Sequence, residues 1–483
     1  MHYQTVLKIL GVLLGIFSVT HLTPLLVSIL YQDNNAFPFL MSFSVTLLTG
    51  LAMWLPTRRV KRDLRYRDGF LVVVLFWTVL ATFGALPFVL SEHNSLTLTD
   101  AFFESMSGLT TTGGTIFTNL NSLPESTLYY RQQLQWLGGM GIVVLAVAIM
   151  PMLGIGGMQL YRAETPGPMK DNKLTPRITE SAKALWYIYL GLTALCMLAY
   201  WIAGMSLFDA ICHAFSTVAI GGFSTHDASI GHFDSAAIEW VAMFFMLIAS
   251  ANFSLHFVAW RQRSIKPYLR DSEYKFFIII LTLISIILLA SLVTHNLYPD
   301  LLTSIQQGLF HLISIITTTG FTSSGFAWWP GALPLMLIMM SFMGGCAGST
   351  AGGMKVMRFQ LMYKQGKKEI VRLIHPNAVL SIKTGGNVIN EKIINTVTAF
   401  FSMYILCYAL TAFALCAVGL DFITAFSAAA ACLNNLGPGL AEVANNYASI
   451  NDSAKWILSF AMLLGRLELF TLIVLFTGTF WRD

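Results

Sequence analysis

Lysine and arginine are placed so unevenly along this chain of 483 residues that their positions alone restrict the fold. Of 29 such residues, 24 fall in four linkers. The first holds Arg58, Arg59, Lys61, Arg62, Arg65 and Arg67, and the second Arg162, Lys170, Lys173, Arg177 and Lys183. The third holds Arg261, Arg263, Lys266, Arg270 and Lys275, and the fourth Lys355, Arg358, Lys364, Lys367, Lys368, Arg372, Lys383 and Lys392. Between them, residues 185–260, 276–354 and 393–454 carry no Lys or Arg at all. Basic residues stay on the cytoplasmic side of a membrane-spanning chain. All four linkers are therefore expected there, and each stretch between two of them must leave the cytoplasm and return.

Composition agrees. Hydrophobic residues make up 55% of the chain and charged residues 11%, against about 25% charged in a typical soluble domain. At about 20 apolar residues per span, the chain can supply eight to ten crossings. The first apolar run, over 9–30, follows only Lys8 and precedes no small-residue cleavage site, so it is expected to stay as a span. Cys196, Cys212, Cys346, Cys407, Cys416 and Cys432 lie in or beside apolar runs without CxxC spacing, which predicts buried thiols. Basic juxtamembrane linkers follow from topology and give no reason to expect nucleic acid. With no HExxH and no nucleophile beside a base, an enzyme is not expected either.

Four stretches share one order of segments. The first has an apolar run over 70–90, a short polar-faced segment from Thr99, TTTGGT over 110–115, and an apolar run over 136–153. The second has 185–202, a segment from Phe208, AIGGFS over 219–224, and 240–258. The third has 276–293, a segment from Leu302, TTTGFT over 317–322, and 333–343; the fourth has 394–418, a segment from Asp421, NNLGPG over 434–439, and 456–476. Aligning Gly113, Gly222, Gly320 and Gly437 gives spacings of 109, 98 and 117 residues, one helical hairpin unit per copy. Each middle segment, about a dozen residues, is too short to span at 1.5 Å per residue. Followed by irregular backbone, it must be re-entrant, and such backbone is tolerated at membrane depth only inside protein or along a watery cavity. The expected object is a pore.

The residues suit a monovalent cation. Rings of carbonyl oxygens can replace its water, glycine permits the dihedrals that turn carbonyls inward, and threonine adds hydroxyls. The C-terminal ends of four short helices, each about half a negative charge, favour a cation between them. Glu104 occupies the register position of His213, His311 and Ala428. Because these disagree in charge, the back face of the short helix is favoured over an ion-contacting ring. Glu92, Asp227, Asp234, Asp300 and Glu442 are read as solvated loop acids before any role in concentrating cations.

The third copy's last helix runs into GGCAGSTAGG over 344–353. Five glycines in ten residues can hardly hold a helix at about 1 kcal/mol each, so the chain is expected to unwind there, on the cytoplasmic side of the ring. The spacing does not match a phosphate loop; close helix packing is the structural alternative. Arg466, in LLGRLELF, is expected in the middle of the fourth copy's last helix, where a charge is costly. Glu468 points to another face, so Arg466 is expected to donate to carbonyls of the 344–353 stretch and hold it across the axis as a gate.

TTTGGT, AIGGFS, TTTGFT and NNLGPG, with GGCAGSTAGGMK and GRLE, closely resemble the TrkH family, membrane subunits of bacterial Trk potassium uptake systems in the Trk/Ktr/HKT superfamily. The resemblance covers essentially the whole chain. It implies an all-α polytopic membrane protein with four parallel helix, re-entrant pore loop, helix repeats in pseudo-fourfold arrangement, plus an N-terminal transmembrane pair. The divisions expected are 1–68 for that pair, then 69–175, 176–270, 271–385 and 386–483 for the repeats. Carried over, the potassium-contacting filter comprises Thr110, Thr111, Thr112 and Gly113; Ala219, Ile220, Gly221 and Gly222; Thr317, Thr318, Thr319 and Gly320; and Asn434, Asn435, Leu436 and Gly437. The gate comprises Gly344, Gly345, Cys346, Ala347, Gly348, Ser349, Thr350, Ala351, Gly352, Gly353 and Arg466. The resemblance further implies potassium uptake across the inner membrane without an organic cofactor, a homodimer among lipids, and a cytosolic TrkA-type partner responding to ATP, ADP or NAD(H). One filter glycine per copy, with Asn434 and Asn435 where the first copy has threonines, predicts modest selectivity. A secondary transporter coupling potassium to protons or sodium is the alternative, although inverted repeats are common in that class and these units are parallel.

Overall fold

The computed structural model of the chain describes residues 2–60, 66–93, 96–141, 178–378 and 380–482. Most of the helix expected over 136–153, the division at 175, and Lys61, Arg62, Arg65, Arg162, Lys170, Lys173 and Arg177 lie outside the described residues.

Among the described residues, six helices are long and apolar enough to cross a membrane: Tyr3–Tyr31, Ala36–Thr57, Arg67–Leu90, Ala182–Ile202, Ser272–Thr294 and Glu391–Ala417. Ser272–Thr294 shows why such segments need lipid. It buries Phe277, Leu281, Leu288 and Leu292 on one face and leaves Ile279, Leu283, Ile286 and Ile287 exposed on the other. An apolar helix satisfies its own backbone and can turn that outer face to hydrocarbon. The chain is an all-helical, multi-pass membrane protein; its strands, among the described residues, are the two-residue pair Lys383–Thr384 and Asn387–Val388.

Two apolar runs expected to be single helices are broken instead. Ala236–Ala249 and Phe253–Gln262 meet at 95°, and Asp452–Arg466 and Phe470–Phe476 at 110°. At the first break Asn252 caps the new helix by accepting from the Ser254 amide at 2.8 Å, and Phe253 donates out of register to the Gly348 carbonyl at 3.0 Å. At the second, Glu468 and Leu469 both adopt left-handed dihedrals, φ 53° and 52°, which end a right-handed helix. Arg466 therefore sits at a helix C-terminus, a place that favours a cation, rather than in mid-helix.

The N-terminal pair crosses through glycine. A Cβ on Gly11 would lie 2.7 Å from the Gly50 carbonyl oxygen, and one on Gly50 would lie 2.9 Å from that of Gly11, so only bare backbone permits this approach. The pair is fastened to the next helices by polar groups. Asn35 donates to Ser126 Oγ at 3.1 Å and Thr127 Oγ1 at 2.9 Å, and Gln133 donates to the Thr20 carbonyl at 2.9 Å.

Four short helices lie between the long ones: Leu98–Leu109, Leu207–Ala219, Leu301–Ile316 and Phe422–Leu433, of 12, 13, 16 and 12 residues. Each starts at a side-chain cap, Thr97, Ser206, Asp300 or Asp421, accepting from an amide of the first turn. Their lengths, about 18–24 Å at 1.5 Å per residue, fall short of the ~30 Å hydrocarbon layer.

Candidate functional site

All four short helices end in the same backbone conformation. Two residues before each aligned glycine the chain turns left-handed, at Thr111 (φ 55°), Ile220 (55°), Thr318 (64°) and Asn435 (55°), and again at Gly113 (82°), Gly222 (79°), Gly320 (84°) and Gly437 (93°). The amide between the two turns points back into its helix each time: Thr112 to Ser107 at 2.9 Å, and Gly221 to Ser216, Thr319 to Ser314 and Leu436 to Ala431 at 2.8 Å. Threonine hydroxyls repeat as well, with Thr110 bonding Thr112 and Thr317 bonding Thr319, both at 2.8 Å.

The four segments meet in cyclic order. A Cβ on Gly113 would overlap the Gly221 carbonyl oxygen, one on Gly222 that of Thr319, and one on Gly320 that of Leu436. A Cβ on Gly437 would come within 2.6 Å of the Thr112 carbonyl oxygen, which closes the ring. Glycine is needed at all four for one reason: each abuts the carbonyl of the residue before its neighbour's glycine. Among the described residues, the carbonyls of Thr111, Ile220, Thr318 and Asn435, and those of Thr112, Thr319 and Leu436, accept no hydrogen bond. Buried carbonyls without a donor are expensive. A dehydrated cation is the ligand such a set of oxygens fits.

Side chains behind the ring hold it in shape. Gln135 donates to the Gly221 carbonyl at 2.6 Å and accepts from Phe223 at 3.1 Å. Tyr447 donates to the Gly437 carbonyl at 2.6 Å, and Asn435 donates to Thr112 Oγ1 at 3.0 Å. The Glu104 register position belongs to this support. Glu104 pairs with Arg131 at 2.7 Å and accepts from the Ile116 amide at 2.9 Å. Arg131 also donates to the Ser224 carbonyl at 3.1 Å and lies 4.3 Å over the Phe223 ring. His213 bonds Ser224 Oγ at 2.9 Å and His311 the Ser324 carbonyl at 3.1 Å, while Ser427, beside Ala428, accepts from the Leu440 amide at 2.9 Å. Three unlike residues at this register position, and Ser427 beside the fourth, do one job, bracing the chain as it leaves the ring.

Two of the loop acids have structural partners too. Asp227 accepts from the Leu120 amide at 3.0 Å. Asp300 caps its helix, and hydrogen bonds from the Thr303 amide and hydroxyl hold its carboxyl below the usual carboxylate range.

Residues 344–353 leave helical geometry between Leu333–Ser341 and Val356–Ile374. This stretch touches the base of the second, third and fourth segments. Thr350 Oγ1 donates to the Val218 carbonyl at 3.0 Å, the Gly352 amide to Thr318 Oγ1 at 2.7 Å, and the Gly353 amide to the Asn434 carbonyl at 3.0 Å. Ala351 joins Ile220 and Ala249 in one buried apolar cluster. Arg466 completes the circuit, reaching Thr111 Oγ1 at 3.3 Å and the Thr350 carbonyl at 3.4 Å. Its other donors go to the Gly138 carbonyl and, at 2.7 Å, the Gly139 carbonyl, within the π-helical turn Leu137–Gly141. Glu468 turns away to Arg358 at 2.6 Å.

Sequence reasoning missed several of these groups. Lys355 and Arg358 were counted with the cytoplasmic linker, yet both are buried, and Lys355 Nζ donates to the Ala351 carbonyl within the unwound stretch. Lys355 lies two residues past the end of the glycine run, which was the available signal. Gln135 lies one helical turn beyond Arg131 on the same face, but nothing in its neighbourhood marked it.

Apolar spans surrounding short helices that converge on a ring of carbonyls, most of them without a donor among the described residues, define a multi-pass membrane transport protein. Comparison with known proteins agrees. The family model TrkH, described as a cation transport protein, matches residues 36–482. The Trk system potassium uptake protein TrkH of Escherichia coli K12 is 54% identical over 483 residues, covering all of both chains. The TrkG protein of the same organism is 42% identical over 482 residues, covering all of this chain and 99% of its own. The crystal structure of the potassium transporter TrkH from Vibrio parahaemolyticus superposes with a TM-score of 0.91 at 51% identity, covering all of both chains. This chain belongs to the TrkH family of cation transport proteins.

Proposed function

We propose that this protein carries potassium into the bacterial cell across the inner membrane, through the axis of its four glycine segments, as a gated, channel-like subunit. The segments ending in Gly113, Gly222, Gly320 and Gly437 serve as the filter, one from each of the repeats 69–175, 176–270, 271–385 and 386–483, with 1–68 as a peripheral pair. The observation that carries the reading is the cyclic set of approaches that puts each glycine against its neighbour's carbonyl. Potassium is favoured as the cargo because the Escherichia coli and Vibrio relatives are potassium uptake proteins.

Residues 344–353, bonded to the base of the ring, act as the gate, and Arg466 holds it shut. The full assembly is read as a homodimer regulated by a cytosolic TrkA-type protein that binds ATP, ADP or NAD(H), in keeping with the Trk system to which the relatives belong. The test is basal rubidium flux without a partner. Arg466→Ala, or deletion within 345–353, should raise it in folded protein; unchanged or lower flux in both overturns the gate.

A further inference from the structure

The cytosolic helix Val356–Ile374 starts in an unusual way. Its N-cap position is Lys355, at φ 75°, with no side-chain cap. The first amides of a helix need acceptors, and its N-terminus favours an anion; lysine supplies neither. The acceptor comes from another helix. Glu273, in the first turn of Ser272–Thr294, accepts the Met357 amide on Oε1 at 3.0 Å. The same oxygen accepts the Ala347 amide, in the first limb of the glycine-rich loop, at 2.7 Å. Glu273 is 3% exposed and forms no ion pair among the described residues. Burying a lone carboxylate is costly, so its two amide partners are what hold it there.

The surrounding contacts show what this carboxylate separates. The neck of the loop is closed by backbone bonds, Val356 to Gly345 at 3.0 Å and Met354 to Phe342 at 2.9 Å. The tip, Thr350 and Gly352, reaches the ring. Beyond the neck the helix carries Lys364, Lys367, Lys368 and Arg372 into the cytoplasm, with Leu373 and Ile374 exposed.

We infer that Glu273 is a positioning residue that couples this cytosolic helix to the intramembrane loop, so that displacing the helix releases the loop's first limb. This rests on the reading of 344–353 as the gate. Each charge-assisted bond lost should shift the closed-to-open ratio on the order of tenfold. Glu273→Ala loses both; Glu273→Gln keeps an acceptor oxygen and should restore most of the effect. Met357→Pro removes one donor, at the second helical position that Pro87, Pro267 and Pro334 occupy in their own helices.

The experiment measures partner-free rubidium flux in proteoliposomes together with labelling of Cys346, buried beside Ala347, by a small thiol reagent read by mass spectrometry. Cys196, Cys212 and Cys432 are buried elsewhere and report general loosening. The inference predicts raised flux and Cys346 labelling in Glu273→Ala and Met357→Pro, protected Cys196, Cys212 and Cys432, and near-normal Glu273→Gln. It is overturned if both variants keep wild-type flux and labelling while Arg466→Ala is leaky, or if all four cysteines become reactive together. If Arg466→Ala is also silent, the gate reading itself fails.

Discussion

Gly437→Ala makes the mildest demand of the four ring glycines, and still a measurable one. A Cβ there would sit 2.6 Å from the Thr112 carbonyl oxygen, 2.9 Å from the Gly113 carbonyl carbon and 3.1 Å from its oxygen. Carbon and carbonyl oxygen meet comfortably at about 3.3 Å, so the Thr112 carbonyl must retreat by roughly 0.7 Å. Ligand constellations work within about 0.5 Å of their productive geometry, so one oxygen of the ring leaves its place. The residue must also hold φ 93°, which costs a side-chain-bearing residue about 1–2 kcal/mol. Strain of that size is released by moving the segment, and each 1.4 kcal/mol of relative ion affinity is tenfold. We expect the ratio of sodium to potassium concentrations that halve rubidium uptake to fall by about tenfold. Melting temperature should change little, because the clash is local. Gly320→Ser should act alike, since its Cβ meets the Leu436 carbonyl and Pro438. An unchanged ratio in both folded variants would refute the argument.

Arg466→Ala removes donors to Thr111, Thr350, Gly138 and Gly139; at about 2 kcal/mol for a charged donor, partner-free rubidium flux should rise roughly thirtyfold. Glu104→Ala strands Arg131 in a buried site and should cost ~3–5 kcal/mol, seen as a large fall in melting temperature; Arg131→Ala with Glu104→Ala should recover part of it. Gln135→Leu frees the Gly221 carbonyl, which faces Gly113, and should weaken potassium over sodium discrimination while leaving the approach of Gly437 to the Thr112 carbonyl intact, read by the same competition assay. Hydrogen bonds from the Thr424 side chain and amide hold the Asp421 carboxyl below its usual range. Its stabilisation is therefore present above the ordinary value near 4 and is lost as pH falls through the lowered folded value. Acid melting curves of wild type and Asp421→Asn should diverge below about pH 4, with Asn the less sensitive; parallel curves would contradict the cap.

The helices and their short, capped companions were legible because the signals are local. Apolar length marks a span, and the segments read from Thr99, Phe208, Leu302 and Asp421 lie within one residue of the observed helix starts, Leu98, Leu207, Leu301 and Phe422. Asp300, however, read as a loop acid and proved to be a cap. The unwinding over 344–353 was likewise written in its glycines. What stayed hidden depends on partners distant in sequence. Hydropathy ran straight through Asn252 and Glu468, where cap and left-handed backbone bend the chain by 95° and 110°. Lys355 read as one more linker charge, although it folds back onto Ala351. The Glu104 position looked inconsistent because the residues differ; the common task of Glu104, His213 and His311, bracing the exit from the ring, appears only when Ile116, Ser224 and Ser324 are seen beside them. In the fourth copy Ser427, next to Ala428, takes it over by holding Leu440.

The central claim is passive potassium passage through the ring, and rubidium uptake into potassium-loaded proteoliposomes of the purified protein tests it most directly. The account predicts uptake driven by the potassium gradient alone, blocked by external potassium and more weakly by sodium. Uptake that appears only under an imposed proton or sodium gradient would contradict it and make the four glycine segments a coupled binding site.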